Sequence, residues 1–225
     1  MTNLIEYPDR DLLMLGLADK LAGALRRDLN IKQRVSFSVP GGTTPGPVFD
    51  MLSAVDLAWD RIDVILNDER WVPEASERSN TALLRRRLLV DKAASGTLVP
   101  LRSDAETPEE GLEALIGAVS ECLPLDILLV GMGTDMHTAS LFPGADQLDA
   151  ALAANAPVLM AMRAPGAPEP RITLTAPVLR AAVETHILIT GAEKLEALRK
   201  AEKLRDARDA PIRVVLNTAT VHWAP

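Results

Sequence analysis

Cysteine is almost absent from this chain. Cys122 stands alone among 225 residues, so no disulfide can form within it. It lies at the end of a helical pattern and reads as core filler. The three histidines are scattered and share no metal-ligand spacing with that cysteine, so no metal is expected. Aromatic residues make up 3% of the chain, so the core has to be built from Leu, Val, Ile and Ala. No apolar run approaches membrane-spanning length. The first residues lack the basic stretch and apolar segment of a secretory signal. A cytoplasmic protein with no membrane partner is therefore expected. Cations are in deficit, 24 Lys and Arg against 31 Asp and Glu, for a net charge of −7. With no basic stripe to offset this, no nucleic-acid partner is expected. The one dense basic run, Arg85-Arg86-Arg87, falls in a helical pattern and reads as a solvated face.

What is present is an alternation of short apolar runs and helical periodicity. The runs predict strands over Val35–Val39, Ile62–Leu66, Asp126–Val130, Pro157–Met162, Thr185–Thr190 and Ile212–Leu216. The periodicity predicts helices over Asp9–Leu29, Pro45–Leu52, Asn80–Val90, Pro108–Val119, Ala176–Ala182 and Ala192–Lys203. Thr107 with Glu110 has the spacing of a capping box, and Ser79 can cap the helix that follows it. Strands alternating with helices imply a mainly parallel sheet covered on both faces, an α/β fold. The Pro- and Gly-rich stretch Arg163–Pro170 is short, and a strand pattern resumes after it. It reads as a surface loop, so residues 1–225 are expected to form one domain.

The most informative segment runs from Gly131 to Gly144: Gly-Met-Gly-Thr-Asp-Met-His-Thr-Ala-Ser-Leu-Phe-Pro-Gly. It follows an apolar strand, and in open α/β sheets ligands bind at the carboxyl ends of strands. An imidazole there can exchange a proton near neutral pH. Met136 occupies the place of the third glycine in a dinucleotide fingerprint, and no Gly-Lys-Ser/Thr follows, so neither nucleotide motif is met. Ser140 lacks the flanking glycines of a hydrolase nucleophile elbow.

Three other strand ends carry candidate residues. After Val35–Val39 comes Pro40-Gly41-Gly42-Thr43-Thr44-Pro45, where glycines admit close backbone approach. Thr44 is expected as a helix N-cap with Pro45 in the first turn; the segment reads either as an ordinary strand-to-helix turn, which such chemistry favours when taken alone, or as an anion site. After Ile62–Leu66 comes Asn67-Asp68-Glu69-Arg70-Trp71-Val72-Pro73, which reads either as a surface ion-pair cluster, the default for a charge run, or as charges that Trp71 and Val72 draw partly inside. After Thr185–Thr190, Lys194 falls in the first turn of a helix, where the dipole disfavours a cation. It is either a solvated lysine or one that faces a bound anion. His186, within a strand, is expected to be structural. His222, beside Trp223, is expected to pack or to be exposed.

Taken in order, these segments resemble the 6-phosphogluconolactonase family. The match rests on Pro40 to Pro45, Asp68 to Pro73 with Ser79-Asn80, Gly131 to Gly144, Arg171-Ile172-Thr173-Leu174-Thr175, and Gly191 to Lys194. The resemblance implies a three-layer α/β/α sandwich with a mainly parallel, Rossmann-like sheet, of the type shared with glucosamine-6-phosphate deaminase. It implies hydrolysis of 6-phospho-glucono-δ-lactone to 6-phosphogluconate, with no metal and no organic cofactor. The family usually has Asp-Gly-His, and Met136 replaces that glycine here. If the position takes a positive φ, Met strains the turn.

The residue types suit that chemistry. Neutral His137 can take a proton from water and return it to the ring oxygen of the lactone. Asp135 or Asp68 can orient the imidazole and stabilise its cation. Arg70 can contact the substrate or the oxyanion. By the resemblance and by electrostatics, Arg171, Lys194 and the Gly42-Thr43-Thr44 turn take the phosphate. Two rivals are a sugar-phosphate isomerase/deaminase and a non-catalytic sugar-phosphate sensor. Deaminases carry an acid in an Asn-Glu-Pro sequence after the histidine segment, where this chain has Ser140-Leu141-Phe142-Pro143. Sensors of this fold usually carry an attached DNA-binding helix-turn-helix, for which the chain has no room. The expected partner is a small sugar-phosphate lactone, and the expected state is a monomer or small homo-oligomer.

Overall fold

Asp9 starts the first helix by accepting a hydrogen bond from the Leu12 N–H at 2.8 Å, which satisfies one of the helix's free donors. Leu13, Leu17, Leu21 and Leu25 then recur at helical spacing and are fully buried. This pattern of cap and apolar stripe recurs through a computed structural model that describes residues 2–225. Along the chain lie β1 (Asn3–Glu6), α1 (Arg10–Leu29), β2 (Val35–Val39), α2 (Gly46–Ser53), β3 (Ile62–Leu66), β4 (Asp68–Arg70) and α3 (Asn80–Arg87). There follow β5 (Thr97–Val99), α4 (Pro108–Ser120), β6 (Ile127–Gly131), α5 (Leu148–Leu152), β7 (Leu159–Met162) and β8 (Arg171–Leu174). The chain ends with α6 (Ala176–Arg180), β9 (Glu184–Thr190), α7 (Ala192–Lys203), α8 (Arg213–Leu216) and β10 (Thr220–Ala224).

Seven strands form one sheet in the order β1-β10-β9-β6-β2-β3-β5, and every pairing in it is parallel. Every residue of β2 is buried, as are nearly all of β6 and β9. Strands buried on both faces need cover on both faces, which makes this the α/β/α arrangement. Helix α1 packs against β2, β6 and β10. From β2 the chain works outward through β3 and β5, and from β6 it works the other way through β9 and β10. The carboxyl ends of β2 and β6 therefore flank a topological switch point, where a crevice opens.

Several sequence expectations are corrected. Ile212–Leu216 is not a strand. Pro211 and Ile212 open a helical turn, with Val214 N–H donating to the Pro211 carbonyl at 3.0 Å, and α8 follows. A five-residue run with four apolar positions looks the same in a buried strand and a buried turn, and proline favours the first turn of a helix. The last strand is β10, eight residues further on than Ile212. Besides β10, four strands had no expected range: β1, β5, β8, where only a resumed strand pattern was expected, and β4, which lies in the charged run after β3. With β8 and β7, β4 forms a separate antiparallel sheet in the order β4-β8-β7, and Arg163–Pro170 is the loop joining its last two strands. Helix α5 was also missed. Thr44 does not cap α2: Pro45 holds the cap position with no side-chain hydrogen bond. Ser79 does cap α3, its hydroxyl accepting from Ala82 N–H at 3.1 Å. Thr107 caps α4 by accepting from Glu110 N–H at 3.4 Å.

Arg85 and Arg86 are exposed as expected, while Arg87 pairs with Asp50. Cys122 packs half-buried against the core, and burial pushes its thiol up to about 11. His222 is buried, not exposed.

Candidate active site

A cleft of about 240 Å³ opens beyond the carboxyl ends of β2, β6 and β9. Its walls come from the Pro40 to Pro45 turn, Asp68 and Arg70 of β4, the Gly131 to His137 segment, Arg171 of β8, and Thr190 with Lys194. Gly42, Thr44, Asp68, Arg70, His137, Arg171 and Lys194, all anticipated as site residues, line it. Thr43 and Asp135 are exposed and do not line it. Thr44, released from capping, is exposed at the mouth.

The loop that follows β6 turns back on itself. Met136 N–H donates to the Gly133 carbonyl, and Gly133 N–H donates to the His137 carbonyl, each at 3.0 Å. The fold-back brings the Asp135 carboxylate to the imidazole: Asp135 Oδ1 lies 2.6 Å from His137 Nδ1 and accepts from His137 N–H at 3.2 Å. The hydrogen bond from His137 holds the Asp135 carboxyl below the usual carboxylate range. With Nδ1 donating to Asp135, Nε2 is left as the acceptor, and it has no partner among the described residues. Gly133 is required here, because a Cβ would lie 2.1 Å from His137 Nδ1 and 2.2 Å from Asp135 Oδ1. Met136 does take a positive φ, 67°, in the left-handed region. Its side chain is 5% exposed and belongs to the core, and its carbonyl accepts from Ile212 N–H at 3.0 Å.

Asp68 does not reach the imidazole. Its Oδ2 accepts from the Ser140 hydroxyl and stands 3.4 Å from Arg171 Nη1. In the β4–β8 pairing Arg70 is directly opposite Arg171. Like charges so placed repel. Burial first, and then Arg171, pushes the Arg70 guanidinium down from its ordinary value. The Nε atoms of both arginines are buried without a hydrogen-bond partner. Two adjacent guanidiniums with spare donors at one cleft wall suit an anionic ligand. Lys194, in the first turn of α7, donates to the Met132 carbonyl at 2.5 Å. Burial lowers its ammonium from the ordinary lysine value.

Two contributors were missed as site residues in the sequence. Asn80 lines the cleft, donates to the Asp68 carbonyl at 3.0 Å, and lies so close to Gly41 that a Cβ there would sit 2.1 Å from its Oδ1. Glu69 is 1% exposed and caps α3, accepting from the N–H groups of Asn80 at 2.9 Å and Thr81 at 2.7 Å. Both lie in segments that carry the family resemblance, but their roles act across turns that only the fold closes. Among the described residues no group of His, Cys, Asp or Glu gathers as a metal site, and no helix is long and apolar enough to cross a membrane.

Comparison with known proteins places the fold in a family. The family model described as glucosamine-6-phosphate isomerases/6-phosphogluconolactonase matches residues 8–223. The chain is 38% identical to the 6-phosphogluconolactonase of Rhizobium meliloti, with 99% of each protein covered. It is 40% identical to that of Pseudomonas aeruginosa, over 93% of this chain and 90% of the relative. A crystal structure of a 6-phosphogluconolactonase from Shewanella baltica superimposes with a TM-score of 0.96 at 30% identity, covering 100% of this chain and 98% of that one. The chain belongs to the glucosamine-6-phosphate isomerase/6-phosphogluconolactonase family.

Proposed function

We infer that this chain hydrolyses 6-phospho-D-glucono-1,5-lactone to 6-phospho-D-gluconate in the oxidative pentose phosphate pathway, the activity its curated relatives bear in their names. The observation that carries the mechanism is the His137–Asp135 pair, at 2.6 Å, in a cleft that also holds Arg70, Arg171 and Lys194. Water attacks the lactone carbonyl while His137 Nε2 takes its proton. The tetrahedral intermediate collapses with cleavage of the bond to the ring oxygen, and the imidazolium returns the proton to that oxygen. Asp135 keeps the imidazole in one tautomer and stabilises its cation. Asp68, bonded to Ser140 and adjacent to Arg171, positions Arg171 instead of orienting the base. Arg171, Lys194 and the Gly42-Thr43-Thr44 turn take the phosphate, and Arg70 faces the lactone or its oxyanion.

A lactone carbonyl is electrophilic enough to react without a Lewis acid. A divalent ion on Nε2 would occupy the lone pair the base needs. The reading therefore includes no metal and no organic cofactor. It also takes residues 1–225 as one domain, acting in the cytoplasm as a monomer or small homo-oligomer.

The test is a timed assay of lactone disappearance with spontaneous opening subtracted. His137→Ala is expected to lower kcat by roughly 10²–10⁴, with product binding little changed. Turnover within a few-fold of the unaltered protein would remove His137 from the mechanism.

A further inference from the structure

Phe142 touches two walls of the cleft without lining it. Its ring stacks on the His137 imidazole, with centroids 4.1 Å apart and planes 29° apart. The Arg171 guanidinium carbon lies 5.2 Å from the centre of the same ring. His137 and Arg171 face the cleft, whereas Phe142 is partly buried behind them against the core.

The chain between His137 and Phe142 is built to make this contact. Ala139 sits at a φ of 49°, and Leu141 N–H donates to the Thr138 carbonyl at 3.0 Å, so the backbone reverses in four residues. Ser140 N–H donates to Thr173 Oγ1 at 3.1 Å, which ties the reversal to β8, the strand that carries Arg171. Phe142 then arrives over the imidazole five positions behind it in sequence.

The two partners lack other restraints of this kind. The bond that His137 Nδ1 donates to Asp135 fixes one nitrogen of the ring and leaves it free to swing about that point. Arg171 has one long contact to Asp68, 3.4 Å, and its Nε has no partner. A flat, rigid ring face supplies what each lacks: a plane for the imidazole and a bed for the guanidinium.

We propose that Phe142 is a positioning residue that sets the plane of the His137 imidazole and holds Arg171 at a fixed place relative to it. The base and the cation that takes the phosphate are then referenced to one rigid body. A substrate anchored by its phosphate presents its carbonyl at the distance the base requires. This rests on the reading of His137 as the base.

The test compares Phe142→Leu, which keeps apolar bulk and loses the face, with Phe142→Tyr, which keeps the face. Phe142→Leu is expected to lower kcat roughly ten- to a hundredfold, the cost of misplacing a reacting group. It should raise KM for the phosphorylated lactone about two- to fivefold, the loss of one cation–aromatic contact. Phe142→Tyr should recover most of both. The proton NMR signals of the His137 ring, assigned by their loss in His137→Asn, report the stack without reference to activity. They should be displaced upfield in the unaltered protein and in Phe142→Tyr, and should return downfield in Phe142→Leu. Unaltered kcat and KM in Phe142→Leu, or equal losses in both variants, would overturn the proposal. So would the absence of an upfield displacement in the unaltered protein, which tests the stack even if Phe142→Leu does not fold. An active His137→Asn would instead bring down the base reading itself. An inactive His137→Asn beside a fully active Phe142→Leu would remove Phe142 alone.

Discussion

At position 136 the backbone sits in the left-handed region, at a φ of 67°, where a side chain costs roughly 1–2 kcal/mol. A glycine would carry no such cost. Met136 offsets it by burying its thioether in the core, a gain of about 1.5–3 kcal/mol. Met136→Gly should therefore lower stability by about 1 kcal/mol, because the lost burial outweighs the relieved strain. Urea unfolding measures this, and a higher midpoint for the variant would show that strain dominates. At Arg171 the question is binding. A hydrogen bond to a charged group contributes about 1.5–3 kcal/mol, so Arg171→Ala should raise KM for the phosphorylated lactone about ten- to a hundredfold. Unphosphorylated gluconolactone should be little affected. Equal losses on both substrates would make Arg171 structural.

Elements bring these residues together, and the short ones matter most. Strand β4 has only three residues, Asp68, Glu69 and Arg70. Because a strand's side chains alternate between its faces, Asp68 and Arg70 line the cleft while Glu69 turns away to cap α3. Those adjacent charges look like a solvated run in sequence, where neither the alternation nor the partners can be seen. Glu69→Gln leaves the Asn80 and Thr81 N–H groups without a charged acceptor. It should destabilise the protein by about 1–3 kcal/mol. An unchanged unfolding midpoint would mean that α3 does not depend on this cap. The long elements were legible: α1, β2, β3, α4 and α7 show clear periodicity and lie within a residue or two of their expected bounds. The terminal run was not, because Val214, Val215 and Leu216 are as apolar in a helical turn as in a strand.

Across the whole molecule one polar chain runs through the sheet. Tyr7 Oη lies 3.0 Å from His222 Nδ1, His222 Nε2 lies 3.0 Å from His186 Nδ1, and His186 Nε2 lies 3.0 Å from Glu184. With Tyr7 donating at one end and Glu184 accepting at the other, both imidazoles are satisfied only when neutral. Burial pushes His222 down to about 3 and also lowers His186, and the positive charges of Lys20 and Arg27 near them act in the same direction. A histidine whose folded pKa lies below its unfolded value of about 6.5 binds its proton more readily when unfolded. Stability is thus complete above about pH 6.5 and declines as pH falls from there toward 3, by about 1.4 kcal/mol per pH unit for each proton linked. His222→Gln should flatten the slope between pH 6 and 4 by about one proton. Urea midpoints measured across that range check this, and a variant as acid-sensitive as the unaltered protein would exclude the relay as the cause.

The sequence by itself determined the fold class, because apolar periodicity is a local property of the chain. It also determined which strand ends carry chemistry, because glycines, hydroxyls and charges cluster there in order. Met136 is legible as a departure only beside the family's usual Asp-Gly-His, and a side chain at a positive φ is strained whatever the residue. Tertiary structure decided the partnerships. That Asp135 and not Asp68 holds the imidazole depends on how one loop folds back. That Arg70 stands beside Arg171 depends on an antiparallel register between strands separated by a hundred residues. That Phe142 backs both His137 and Arg171 depends on a chain reversal tied to β8. Such contacts are set by distances in space, and no spacing along the chain encodes them.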